Sequence, residues 1–337
     1  MDYTTLGRSG LRVSQACLGT MNFGSDPQAP TPEPEARRII DAFLDTGHNF
    51  IDTADTYRGG TSEEVVGRAI AHRRADVVLA TKAAAPQGTD PNNRGLSRVH
   101  LTRALEASLR RLGTDYVDLY QCHVPDPDTP IEETMTTLDG FVRSGKVRYL
   151  GCSNFTAAGI VGAQWAAQRT GAMPLVSLQA NYSLIMRAIE AEIMPTCQQY
   201  GLGIVAYSPL GSGLLAGRYQ RGAAPAEGSR LAQWAAMPSP MARAFVRGLL
   251  AEPHFDIADE VATLAAELET TGPTIALAWI KSKPEITSLI IGPRSADQLT
   301  ANLASLAFNL PDSVSARLAA VSRSTVIPPV TGQHNAA

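Results

Sequence analysis

The chain has 337 residues, 44 % of them hydrophobic and 18 % charged, which is ordinary globular usage and excludes a disordered chain. Its 29 Lys and Arg against 32 Asp and Glu leave a net charge of −3, too near neutral for a general nucleic-acid or anionic-membrane binder, though not for a local basic pocket. The length admits two domains at roughly 150 residues each, or one (β/α)₈ barrel of about 250 residues with insertions.

In chain order, MDYTTLGRSG lacks the apolar core of a secretion signal, and no run reaches the roughly 20 apolar residues of a membrane helix, so a soluble, cytoplasmic protein is expected. Residues 3–13, turning at Arg8-Ser9-Gly10, predict a hairpin. Eight short apolar runs follow at 15–19, 49–52, 77–81, 116–121, 147–152, 175–180, 203–207 and 287–291. They are too short for helices and suit strands buried on both faces. Between them lie helix-periodic segments at 33–46, 62–72 with Ser62 as N-cap, and 97–113 from Ser97 to a C′ glycine at Gly113. Others fall at 131–144, 156–170, 189–200, 274–282 and 295–307. Eight alternations predict an α/β chain closed as a (β/α)₈ TIM barrel, its bottom covered by the N-terminal hairpin.

The rhythm breaks after strand seven, where 211–255 reads as a long loop and 256–270 as an additional helix. Loops of that length are usually lids or binding loops. No composition shift marks a boundary, so 1–337 is read as a single domain, with 210–255 as a lid or cofactor loop and 325–337 as a flexible tail. Cys17, Cys122, Cys152 and Cys197 are widely spaced, without a C-x-x-C pair, and read as small core hydrophobes. The six histidines include no H-x-H or H-x-x-x-H pair, so a metal-dependent hydrolase is not indicated and no metal is expected.

In a parallel barrel the site forms at the C-terminal strand ends. There strand two delivers Asp52, strand three Lys82, strand four His123, strand five Ser153 and Asn154, strand six Gln179, strand seven Tyr207, and strand eight Gly292 and Arg294. Singly, such an Asp is most often a turn former, and such a Lys snorkels to water. An acid, a lysine and a histidine converging beside a tyrosine describe a device: an ammonium favours the phenolate and lowers a phenol pKa from about 10, while a carboxylate fixes the ammonium. Tyr57, in the loop IDTADTY, is placed to join them. The chain has only four lysines (Lys82, Lys146, Lys281, Lys283), and Lys82, ending the apolar run VVLAT, is the one expected to be buried, the others being surface charges.

The segments GTMNFG (19–24), FIDTADTY (50–57), ATK (80–82), DLYQCHVPD (118–126), GKVRYLGCSNF (145–155), LQANYSLIMR (178–187), AYSPLGSGLLAGRY (206–219) and IIGPRSADQLTAN (290–302) occur in order over residues 3–310. Together they resemble the aldo-keto reductase superfamily, in particular its aryl-alcohol dehydrogenase and potassium-channel β-subunit-like branch. The resemblance implies a barrel that reduces carbonyls with NADPH, with neither metal nor flavin. It implies Tyr57 as general acid, Lys82, paired with Asp52, lowering its pKa, and His123 hydrogen-bonding and orienting the substrate oxygen. Ser153, Asn154 and Gln179 match contacts to the nicotinamide carboxamide, and Tyr207 matches the aromatic stacked on that ring. Gly19, Thr20, Met21, Ser208, Pro209, Leu210, Gly211, Ser212, Gly213 and Gly292 fall along the cofactor, Arg294 and Gln298 at a 2′-phosphate, and Asn302 at adenine. Many members have Glu where this chain has Ala301, which removes an expected adenine contact. Asn22, Phe23, Tyr57, His123, Val124 and Trp234 are candidate substrate contacts.

Gly211-Ser-Gly213-Leu-Leu-Ala216 imitates a Rossmann fingerprint, yet no acidic strand end follows about 20 residues on, so it does not define the fold. The expected partner is a small carbonyl or alcohol, not nucleic acid or membrane, and oligomeric state is left open. The alternative to turnover is a nicotinamide-binding, redox-sensing module that regulates a partner.

Overall fold

The computed structural model describes residues 3–27 and 29–323; the tail expected at 325–337 lies outside them. Eight parallel strands close into a barrel in sequential order: β1 (Ala16–Gly19), β2 (Phe50–Asp52), β3 (Val78–Ala83), β4 (Val117–Cys122), β5 (Val147–Ser153), β6 (Leu175–Asn181), β7 (Gly203–Tyr207) and β8 (Ile286–Ile291). Each corresponds to one of the eight apolar runs. Because strand side chains alternate between faces, alternate positions divide the apolar residues into two cores. Leu18, Ile51, Leu79, Tyr120, Leu150, Leu178 and Ile204 face the helices, whereas Cys17, Phe50, Val78, Ala80, Leu119 and Val205 fill the interior.

The N-terminal hairpin, Tyr3–Thr5 paired antiparallel with Arg12–Ser14, adds Leu6 and Val13 to the interior cluster and so closes the barrel bottom. Burying Leu6 completely is worth about 1.5–3 kcal/mol. Gly7 makes the approach possible. Its φ is +59°, and a Cβ there would sit 2.4 Å from the Val176 carbonyl oxygen and 2.5 Å from that of Gly201.

The surrounding helices are α1 (Glu33–Asp45), α2 (Thr61–Ile70), α3 (Arg98–Leu112), α4 (Ile131–Arg143), α5 (Ala157–Thr170) and α6 (Ile193–Tyr200). Helix α3 shows the local logic: Leu101, Ala104, Leu105, Ser108, Leu109 and Leu112 recur on one buried face. Ser97 caps its start by accepting from the His100 amide, and left-handed Gly113 ends it. Helix α6 begins later than the expected 189, after a 3₁₀ turn at Ala188–Glu190, because Pro195 is accommodated only in a first helical turn. Ser62 is not the α2 cap. Gly60 occupies that position at φ 94°, while the fully buried Ser62 hydroxyl donates to the Thr20 carbonyl at 2.8 Å.

The segment read as a loop after β7 is structured. It holds a 3₁₀ turn (Gly211–Ala216) and helices α7 (Arg230–Ala235) and α8 (Pro240–Leu249), capped by the side chains of Ser229 and Ser239. The additional helix α9 (Glu252–Glu267) starts before the expected 256. Helices α10 (Gly272–Lys281) and α11 (Ala296–Leu306) flank β8, and α12 (Asp312–Val321) is an unanticipated final helix. Of the other lysines, Lys146 is a surface charge as expected, while Lys281 and Lys283 have further contacts. Lys146 pairs with Glu106, Lys281 donates to the last carbonyl of α11 (Leu306, 2.5 Å), and Lys283 lies 4.4 Å over the Trp279 ring. No helix among the described residues is long and apolar enough to cross a membrane.

Candidate active site

Alternation along each strand carries upward from the interior core to the C-terminal rim. Above Phe50 the next inward residue is Asp52, above Val78 and Ala80 it is Lys82, and above Leu119 come Gln121 and His123. The same periodicity brings Ser153, Gln179 and Tyr207 to one rim, so residues far apart in sequence meet because each ends an inward-facing row.

At the centre lies a buried ion pair. Lys82, 0 % exposed, donates to Asp52 Oδ2 at 2.6 Å and to the Thr53 carbonyl at 2.7 Å, and Asp52 is 2 % exposed. Asp52 Oδ1 accepts from Gln179 Nε2 at 2.8 Å and Gln121 Nε2 at 3.2 Å, so both carboxylate oxygens are engaged. Gln121 was not singled out from the sequence, although its position two residues before His123 fixes it on the same face.

The loop after β2 is stitched to β3 by Thr53 N–H to the Ala80 carbonyl (2.9 Å) and Asp55 N–H to the Lys82 carbonyl (3.1 Å). That attachment holds Tyr57 over the lysine, whose Nζ lies 4.8 Å from the ring centre. The His123 ring meets Tyr57 edge-on, with centroids 5.9 Å apart at 80°. Burial lowers the Lys82 pKa, but Asp52 and Tyr57 outweigh it and hold the ammonium above its ordinary range. For Tyr57 the expected effect of Lys82 is present but outweighed. Burial raises the phenol pKa, and the neighbouring Lys82 charge offsets this only in part. Burial and then Lys82 push His123 down to about 3, so its imidazole is neutral at physiological pH.

These groups floor a cavity of about 640 Å³ that runs across the rim to α11. Gly19, Thr20, Met21, Asn22, Asp52, Tyr57, His123, Ser153, Asn154, Gln179 and Tyr207 line its central part. Asn154, at φ 62°, donates to the His123 carbonyl (3.0 Å) and to Ser153 Oγ (3.0 Å), and accepts from the Tyr207 hydroxyl at 2.8 Å. Ser208, Pro209, Leu210, Ser212 and Gly213 continue the wall, and Gly292, Arg294, Gln298 and Asn302 complete the far end. Trp234, from α7, lines the cavity and packs edge-on against Phe245 of α8 at 5.4 Å.

Three expected contacts lie elsewhere. Phe23 is fully buried in the core beneath the helices, Val124 packs against that same core, and Gly211 is buried, where an added Cβ would meet Ile185 at 2.5 Å. The structure adds Arg218, Tyr219, Arg230, Thr271, Thr274 and Ser305 to the lining. Arg230 donates to Asn22 Oδ1 at 3.2 Å, tying α7 to the loop after β1. Burial and then the charges of Arg294 and Arg218 lower the pKa of Arg230, and no carboxylate is among the charges that shift Arg230 or Arg294. Three mutually repelling guanidiniums around one cavity fit an anion carrying several phosphate oxygens. Among the described residues, no three His, Cys, Asp or Glu side chains gather to hold a metal ion.

Fold and rim together define a (β/α)₈ barrel with a buried Lys82–Asp52 pair, Tyr57 and His123 at its C-terminal rim. The chain belongs to the aldo/keto reductase family, whose sequence profile it matches over residues 16–323. It is 43 % identical over 311 residues to the uncharacterized oxidoreductase YrpG of Bacillus subtilis (strain 168), covering 89 % of each chain. It is 37 % identical over 311 residues to a probable voltage-gated potassium channel subunit beta of Oryza sativa subsp. japonica, covering 91 % of each. To the norsolorinic acid reductase of Aspergillus flavus it is 32 % identical over 311 residues, covering 88 % of this chain and 75 % of that one.

Proposed function

We propose that this protein reduces an aldehyde or ketone to the alcohol with NADPH, reversibly toward secondary alcohols, with Tyr57 as the general acid. The observation that carries the reading is the buried Lys82–Asp52 pair beneath Tyr57, with His123 edge-on to the Tyr57 ring. NADPH is supported by Arg218, Arg230 and Arg294, which line one cavity, repel one another and would find partners in the phosphates. Tyr207, Asn154, Ser153 and Gln179 suit the nicotinamide end.

When bound, NADPH supplies the hydride. The chain's own residues then manage the charge left on oxygen. His123, neutral, can donate a hydrogen bond to the carbonyl oxygen without transferring its proton. Tyr57, held protonated by burial, delivers its proton as the alkoxide develops, and the resulting phenolate faces the Lys82 ammonium. Asp52 keeps that ammonium charged and aimed, and in the oxidative direction the same phenolate takes the alcohol proton back.

The test is a panel of aldehydes, ketones and secondary alcohols with NADPH/NADP⁺ against NADH/NAD⁺, followed by loss of reduced-nicotinamide absorbance. Tyr57→Phe is expected to lower turnover by about 10²–10⁴-fold while binding NADPH normally. A fully active Tyr57→Phe enzyme removes Tyr57 from the chemistry. The name of the Oryza sativa relative keeps the regulatory reading as the competing outcome, and it would be favoured by tight NADPH binding with negligible turnover across the whole panel.

A further inference from the structure

Strand register sets a row of residues beside the Lys82–Asp52 pair inside the barrel. Lys82 on β3 pairs with Gln121 on β4, Gln121 with Gly151 on β5, and Gly151 with Ser177 on β6. A Cβ at Gly151 would lie 2.5 Å from Ser177 Oγ, 3.1 Å from Gln121 Cγ and 3.3 Å from Leu119 Cδ1, an interior side chain. The side chain that glycine lacks thus leaves a small niche bordered by Gln121 and Ser177, both 0 % exposed. Gln121 commits one end of its amide to the site, Nε2 donating to Asp52 Oδ1 at 3.2 Å. Its other end, Oε1, is buried without a hydrogen-bond partner, and so is Ser177 Oγ. Buried polar atoms left so carry the full cost of desolvation. One water satisfies both, accepting the Ser177 proton and donating to Gln121 Oε1. Gln179 also donates to Asp52, but it lines the rim cavity and is shared with whatever binds there. Gln121 does not line that cavity, so its Nε2 serves Asp52 alone.

We propose that Gln121 is a positioning residue for the Lys82–Asp52 pair, its amide held in orientation by one water molecule bound in the niche that Gly151 opens between Gln121 and Ser177. The inference rests on the carbonyl-reduction reading and deepens it. The two ends of a glutamine amide are alike in shape and opposite in hydrogen bonding. A half-turn about the last side-chain bond would aim Oε1 at the Asp52 carboxylate, acceptor against acceptor. A water that donates to Oε1 holds the other arrangement and keeps Nε2 on Oδ1. With Oδ1 fixed, Oδ2 faces Lys82, and the ammonium stays under the Tyr57 ring.

Two measurements test this. In a crystal structure of the wild type, one water is expected within hydrogen-bond distance of both Gln121 Oε1 and Ser177 Oγ. Density that leaves the niche empty, or that joins the two side chains directly, overturns the water site. Steady-state kinetics test the positioning. Gln121→Met keeps the length of the side chain and removes the donor. Its kcat for NADPH-dependent reduction should fall by about tenfold, the worth of a hydrogen bond to a charged group, with KM and NADPH affinity within about twofold of wild type. Gln121→Glu supplies the rescue. Next to ionised Asp52 the new carboxyl stays protonated at pH 5 and donates as the amide did, so kcat there should return to within about threefold of wild type and fall as that carboxyl ionises. Wild-type kcat in Gln121→Met, or an equal loss in both variants at pH 5, overturns the positioning role. Absence of turnover by the wild type overturns the reduction reading and the positioning role with it, a result distinct from a fully active Gln121→Met enzyme.

Discussion

Asp55 lies between Asp52 and Tyr57 in sequence, yet its carboxyl points away from the site into a buried pocket of polar groups. It is 1 % exposed, and its neighbours are Glu63, Arg111, Gln87 and Tyr120. Glu63 has taken the strong donors: Arg111 Nε at 2.7 Å and the Thr81 hydroxyl at 2.5 Å. Burial, and then repulsion from Glu63, raise the Asp55 carboxyl to about 7 from an ordinary 3.8, against a partial offset from Arg111. The folded protein therefore holds this proton more tightly than the unfolded chain does. Stability contributed at this position is full below the unfolded value near 4 and declines as pH rises toward 7, after which the cost is constant. A difference of about three pH units corresponds to ~4 kcal/mol at most. We predict that Asp55→Asn, which has the same shape but cannot ionise, removes the dependence. Urea midpoints measured at pH 5 and pH 8, with unchanged slope, should move in favour of Asp55→Asn by ~2–4 kcal/mol between the two pH values. Wild-type and variant curves that stay parallel across that range would show that Asp55 ionises freely and would refute the argument.

Lys82→Met should abolish reduction and also destabilise the fold by ~3–5 kcal/mol, because Asp52 would remain buried and charged with only amide donors. Removing both charges, as Lys82→Met with Asp52→Leu, should recover much of the stability and none of the turnover; recovery of turnover would disprove the role of the pair. Because His123 titrates near 3 and Tyr57 above its ordinary range, kcat/KM for reduction should be flat from pH 5 to 8 and fall only on the alkaline side, as the Tyr57 proton is lost. A rise or fall centred near pH 6.5 would mean that His123 titrates in the working range. Gly7→Ala should cost more than about 1–3 kcal/mol of stability, as left-handed strain is joined by contact with the Val176 and Gly201 carbonyls, while leaving KM unchanged. A thermal midpoint equal to that of the wild type would contradict this.

Much of the fold was legible because its signals are local. Apolar runs of a few residues between helix-periodic segments report strands and helices through the periods of their own hydrogen bonding, and eight alternations imply closure. The segment 211–255 was harder to read: its Gly, Ala, Pro and Arg obscured helices that Ser229, Ser239 and Pro240 announce as caps. Ser62 misled for the converse reason, since its hydroxyl left the helix end for Thr20 and Thr53, partners 42 and 9 residues away.

The site divides along the same line. Asp52, Lys82 and His123 each end an inward-facing row, and the sequence shows both the row and its end. The family resemblance located Tyr57 without revealing its surroundings. Which of its neighbours dominates is set by burial and by charges distant in sequence, so only tertiary structure decided that burial outweighs Lys82 and raises the Tyr57 pKa. Tertiary structure likewise removed Phe23 and Val124 from the cavity, and brought Arg218, Arg230, Thr274 and Ser305 into it. Composition and periodicity determine which face of an element is buried. Desolvation and electrostatic coupling depend on what the rest of the chain brings to that face.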